Sequence, residues 1–214
     1  MKAPRFDAVL FDCDGVLVDS EPITIGVLRD MLADLGWPLT LAECMRIFIG
    51  KAVRDEHALI EAHTGRPLTE AWLTEFRERR NEALVACLQP IRHAPDAAFI
   101  ASMDGGDLHK VRLQLHKTQL LRWFEGHVFS GHDLPRSKPF PDVYLAAAAS
   151  LKVDARRCAV VEDTVTGVTA GVAAGACVFG YSPPEAGHDV PAALRAAGAS
   201  QVFTDMAQLP ALLE

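Results

Sequence analysis

Short apolar runs recur along the chain at 8–11, 98–101, 127–129, 158–161, 176–179 and 201–203. Each is almost continuously hydrophobic rather than alternating. That is the pattern of strands buried on both faces, and such strands belong to parallel sheets covered by helices. Helical patterns fall between the later runs, at 107–120, 141–151, 165–174, 190–197 and 206–213. Strand and helix in alternation predict an α/β fold with a doubly wound, Rossmann-like parallel sheet. In such a sheet ligands bind beyond the carboxyl ends of the strands, so the residues that close the apolar runs are the first candidates for chemistry.

The interval between the first two runs breaks the rhythm, offering helix after helix and no strand. It reads as a helical domain over 20–91, inserted into a core formed by 1–19 and 92–214. With 214 residues, half of them hydrophobic, the chain is long enough for both. Ser20 is placed to N-cap the first inserted helix, with Glu21 and Pro22 in its first turn, and Gly36 followed by Trp37-Pro38 ends it. The last long helix, 69–88, carries Trp72, Phe76, Ala83, Leu84 and Cys87 on one stripe, while Arg77, Arg79 and Arg80 form a solvated face. Only "QPIRHAPDA" then leads to the next strand, whereas a crossover usually takes about a dozen residues or more. Either the helical domain is itself the crossover, or a loop and helix are missing.

A net charge of -7 with no long basic run excludes a nucleic acid held through its phosphates. Any phosphate site must be built locally. No apolar run is long enough to span a bilayer, and the amino terminus reaches an aspartate before it makes a signal-peptide core. The five cysteines are scattered, without a C-x-x-C pair, so neither a disulfide framework nor a zinc site is expected. The eight histidines form no metal-ligand spacing. A monomeric protein of the reducing cytoplasm, with a small-molecule partner, is the expectation.

Two aspartates, Asp12 and Asp14, close the first run in "VLFDCDGVLVDSEP", just before Gly15. An Asp-Gly pair can simply end a strand as a turn. A calcium loop does not fit, because glycine falls fourth and Ile23 stands at position twelve. A second acidic pair, Glu162 and Asp163, closes "CAVVED". Carboxylates from two strand ends repel one another unless a cation lies between them, and hard oxygen donors suit Mg²⁺. Ser102 closes "AAFIAS", and Lys138 precedes a helix in "SKPFPDVYL". A hydroxyl and an ammonium beside such a cation suit a phosphate monoester.

Taken together, "DCDGVLVDSEP", "IAS", "SKPFPDVYLAAA" and "VVEDTVTGVTAGVAAGA" resemble the four motifs of the haloacid dehalogenase (HAD) superfamily. The branch is that of phosphatases and beta-phosphoglucomutase-like proteins with a helical cap after the first strand. The resemblance runs in order over almost the whole chain and identifies the helical domain as the cap. It implies that Asp12 is a nucleophile forming an aspartyl-phosphate, and that Asp14 is the general acid and then the general base. Mg²⁺ would be held by Asp12, the Asp14 main-chain carbonyl and Asp163, with Glu162 a further or water-mediated ligand. Ser102 and the Met103 amide would bind the phosphoryl group, and Lys138 would bridge it to Asp12. Gly50, Lys51 and Arg54 in "FIGKAVRDE" would meet the substrate from the cap, although a solvated helix start explains Lys51 and Arg54 equally well.

Two features depart from the family pattern: "SMDGGD" places Asp104 near the phosphate site, and the crossover is short. Relatives that displace halide lack the second aspartate, so Asp14 favours phosphoryl transfer. Mutase relatives carry a histidine on the first cap helix where Thr24 and Ile25 stand here. The expectation is a phosphatase acting on a small phosphorylated sugar or sugar acid, with a phosphomutase or a catalytically idle binding protein as alternatives.

Overall fold

The first apolar run folds as strand β1 (Ala8–Asp12), with Leu10 and Phe11 fully buried. The computed structural model describes residues 5–49, 51–91, 100–104, 108–124, 126–184 and 189–214. It divides the chain into two units, one formed by Met1–Val18 with Gln89–Glu214 and the other by Asp19–Leu88.

The second unit is entirely helical among its described residues. Helix α1 (Glu21–Asp34) is followed by α2 (Leu41–Phe48), α3 (His57–Thr64) and α4 (Glu70–Cys87). Ser20 occupies the N-cap of α1 but its side chain makes no capping hydrogen bond. Threonines do that work instead. Thr40 forms a capping box with Glu43 at the start of α2, and the Thr69 hydroxyl accepts from the Trp72 amide at 3.2 Å at the start of α4. Gly36, at φ +93°, ends the first helical segment, and the following Trp37 amide returns to the Leu32 carbonyl at 2.9 Å. Leu28, Leu32, Cys44, Phe48, Ile60 and Phe76 form this unit's own core. On α4 the buried residues are Leu73, Phe76 and Leu84, and Cys87 is exposed. Leu73 thus takes the place expected of Cys87, because Leu73 lies one turn before Phe76 and 84 continues the same stripe.

The first unit carries a six-stranded sheet in the order β3-β2-β1-β4-β5-β6, and every neighbouring pair is parallel. After β1 come β2 (Ile100–Asp104), β3 (Val128–Ser130), β4 (Cys158–Glu162), β5 (Cys177–Tyr181) and β6 (Gln201–Phe203). The helices between them are α5 (Leu108–Lys117), α6 (Leu121–Phe124), α7 (Asp142–Ser150), α8 (Val165–Ala173) and α9 (Pro191–Ala196), and α10 (Leu209–Leu213) follows β6. Leu10, Val160 and Val178 from the strands pack with Tyr144, Val168 and Leu194 from the helices. The expected α/β fold with a parallel sheet is therefore the observed one.

Strand β2 is displaced from its expected position. β2 reaches Asp104 because that residue still pairs with Ser130 of β3, so Ser102 lies inside the strand and not at its end. Residues 98 and 99, expected to start it, lie outside the described residues. The chain leaves and re-enters this unit at adjacent points. Val18 bridges Pro90, and the Ile91 amide donates to the Leu17 carbonyl at 2.9 Å. The helical unit is thus inserted between two neighbouring segments of the first.

Candidate active site

Since β1 lies between the parallel strands β2 and β4, its carboxyl end is flanked by theirs, and β4 ends at Glu162. Asp12 is the last residue of β1 and is 6% exposed. Lys138, from the loop before α7, donates from Nζ to Asp12 Oδ1, and at 2.6 Å to Glu162 Oε1 at the end of β4. The Tyr144 hydroxyl of α7 donates to the same Oε1 at 2.8 Å. Glu162 Oε2 accepts from the Asp163 amide at 3.1 Å, the Thr164 amide at 3.2 Å and the Thr164 hydroxyl at 3.0 Å.

Local sequence explains this cluster. Thr164 N-caps α8, accepting from the Gly167 amide at 3.1 Å, so the turn after β4 brings two amides and a hydroxyl back onto Glu162. A Cβ at 167 would fall inside the Glu162 carboxylate, which leaves glycine as the residue that fits there.

Burial alone would pull the Lys138 ammonium down, but the charges of Asp12 and Glu162 outweigh it and hold it well above the ordinary lysine range. Burial would likewise raise Glu162, yet the Lys138 charge and the hydrogen bonds from Lys138, Tyr144 and Thr164 hold it low. Burial, then the Glu162 charge, pushes the Tyr144 phenol well up, so it stays a donor. Glu162 was expected among the metal ligands. Both its oxygens accept from these donors, and Oε1 meets the Lys138 ammonium.

Asp14 lies past the strand, at a bridge with Val18, and Gly15 takes φ +76° beside it. Its carboxylate is held from α5: Lys110 donates to Oδ2, and Gln114 Nε2 donates to Oδ1 at 2.7 Å. Each aspartate of the pair thus has an ammonium from a different element. Asp163, next along from β4, is fully buried.

The backbones of Ser102 and Met103 lie in β2, with Met103 in register with Asp12 and Ser102 with Phe11. Gly50 lies outside the described residues. Lys51 and Arg54 belong to the helical unit, where Lys51 pairs with Glu56 and Arg54 with Glu70, each at 3.3 Å, on exposed surface. Such pairs contribute little.

Among the described residues, no three His, Cys, Asp or Glu side chains already converge on one point. The donor chemistry nevertheless suits a hard cation. Among the described residues Asp12, Asp14, Glu162 and Asp163 bring carboxylates to this region, and hard oxygen donors of that kind suit a divalent ion.

Residues 6–175 match the family model of haloacid dehalogenase-like hydrolases. The chain belongs to that family. This hydrolase is 29% identical to 6-phosphogluconate phosphatase of Escherichia coli (strain K12), over 97% of its own length and 95% of the relative's. It is 30% identical to hexitol phosphatase B of the same organism, over 88% and 90%. Among solved structures, a HAD-family hydrolase from Deinococcus radiodurans R1 with bound phosphate and sodium aligns with a TM-score of 0.82. It is 34% identical, with 99% and 96% of the two chains covered.

Sequence reasoning missed the hydrolase's Lys110, Gln114, Tyr144 and Thr164. Lys110 and Gln114 stand four apart in the helical pattern, which puts them on one face, but nothing local says which carboxylate that face meets.

Proposed function

We propose that the protein is a Mg²⁺-dependent phosphatase hydrolysing a small phosphorylated sugar or sugar acid through an aspartyl-phosphate. The observation that carries this reading is the Asp12–Lys138–Glu162 chain at the carboxyl ends of β1 and β4, with Asp14 held separately beside it. Support comes from the relatives named phosphatases of phosphorylated sugar acids and hexitols, and from the neighbour solved with phosphate.

Asp12 attacks phosphorus in line, and the P–O bond to the leaving alcohol breaks as the Asp12–phosphorus bond forms. Asp14 gives the leaving oxygen its proton, then takes one from the water that cleaves the aspartyl-phosphate to regenerate Asp12 and release inorganic phosphate. Lys138 orients Asp12 and offers an ammonium to the phosphoryl oxygens, and Glu162 with Tyr144 keeps that ammonium in place. Ser102 and the Met103 amide complete the phosphoryl contacts. Asp12, Asp163 and the Asp14 main-chain carbonyl, with Glu162 as a further or water-mediated ligand, would hold a divalent ion, which would supply charge neutralisation for the transferred group. Residues 1–19 and 92–214 form the catalytic core, and 20–91 the cap that sets selectivity. The setting is the cytoplasm, with the protein acting as a monomer.

A panel of phosphate monoesters assayed on purified protein with magnesium tests this. Turnover that EDTA removes and Asp12→Asn abolishes is expected. Activity surviving either change overturns the reading, and isomerisation of a hexose 1-phosphate replaces it by a mutase.

A further inference from the structure

The face of α5 that meets the sheet is apolar at Val111 and Leu115, both fully buried, but polar at Lys110 and Gln114. Lys110 is 8% exposed and Gln114 fully buried. Burying an ammonium and an amide costs free energy that a leucine at either position would not, unless each has a partner. Both reach one carboxylate, that of Asp14. Lys110 donates to Asp14 Oδ2 and Gln114 to Asp14 Oδ1, so each oxygen has its own donor and the carboxylate plane is fixed. The Gln114 amide is itself oriented from behind, because its Oε1 accepts from the buried Cys13 thiol at 3.8 Å.

Asp14 needs such help. β1 ends at Asp12, so Asp14 lies beyond the sheet at an isolated bridge with Val18, and the chain turns at Gly15 immediately after it. A carboxylate that must meet a leaving oxygen within hydrogen-bond distance works only in a narrow range of orientations.

We propose that Lys110 and Gln114 are positioning residues that aim the Asp14 carboxylate at the leaving-group oxygen. The proposal rests on the assignment of Asp12 and Asp14 above. Cys13 then holds the Gln114 amide in place, and α5 gains a role in the chemistry.

The test exploits leaving-group dependence. An aryl ester such as p-nitrophenyl phosphate departs without much proton assistance, whereas an alkyl ester depends on it. We expect Lys110→Met and Gln114→Leu each to lower kcat/KM for the alkyl phosphate that the parent hydrolyses fastest by about tenfold more than for p-nitrophenyl phosphate. Asp14→Asn shows the same pattern more strongly, and Lys110→Arg, which keeps a cationic donor, restores part of the alkyl activity. Equal losses on both esters, no loss, or a parent active only on the aryl ester overturn the proposal. If Lys110→Met does not fold, Gln114→Leu carries the same prediction. The two readings fail separately: an active Asp12→Asn removes the phosphatase mechanism. An inactive Asp12→Asn with uniform loss in the α5 variants removes only the positioning role.

Discussion

Lys138 donates to Asp12 and Glu162 at once, so its removal leaves two carboxylates buried without the ammonium between them. Lys138→Met is therefore expected to cost about 3–5 kcal/mol, measured by urea unfolding. Adding Glu162→Gln removes one of the stranded charges, and the double variant should be more stable than Lys138→Met alone. The same pair sets a pH dependence. Glu162 is held below its ordinary value in the folded protein, so its contribution is present above the unfolded pKa of about 4.3 and is lost as pH falls below it. Lys138 is raised, so its contribution is present below an unfolded value of about 10.4 and is lost as pH climbs past it. Stability measured against pH should show both limbs in the parent, and Glu162→Gln should flatten the acid one.

Helix α8 lies against β4 and β5 through glycines one turn apart. A Cβ at Gly171 would come within 2.8 Å of Val178 Cγ2, and one at Gly167 would displace the Glu162 carboxylate. Gly171→Ala is expected to cost about 1–3 kcal/mol by overpacking, with activity retained in the folded fraction. Gly167→Ala should cost a similar amount and also remove turnover, because the anchor of Lys138 moves. Thermal unfolding alongside activity separates the two. In the helical unit the Thr40–Glu43 capping box satisfies the first amides of α2, and Thr40→Ala should lower stability by about 1 kcal/mol with little effect on the chemistry.

Across the molecule the cysteines differ sharply in exposure. Cys87 is exposed, whereas burial pushes the Cys44 and Cys158 thiols up to about 11. An aromatic disulfide reagent at neutral pH should modify Cys87 first and reach Cys44 and Cys158 only in denaturant. At this scale, six strand positions and the alternating helices were legible because burial on both faces leaves a continuous apolar run, and that signal is local. The acidic pairs were legible for the same reason, since each interrupts such a run at its end. The extent of β2 was not, because Asp104 joins the strand only through its pairing with Ser130. Nor was the partner of each carboxylate. Lys110 reaches Asp14 across 96 positions and Lys138 reaches Asp12 across 126. Hydropathy by itself determined where strands, helices and the strand-end carboxylates fall along the chain. Which ammonium meets which aspartate, and that Glu162 anchors a lysine, was decided by the order in which β1 is set between β2 and β4. That order depends on contacts between distant segments, which no local pattern encodes.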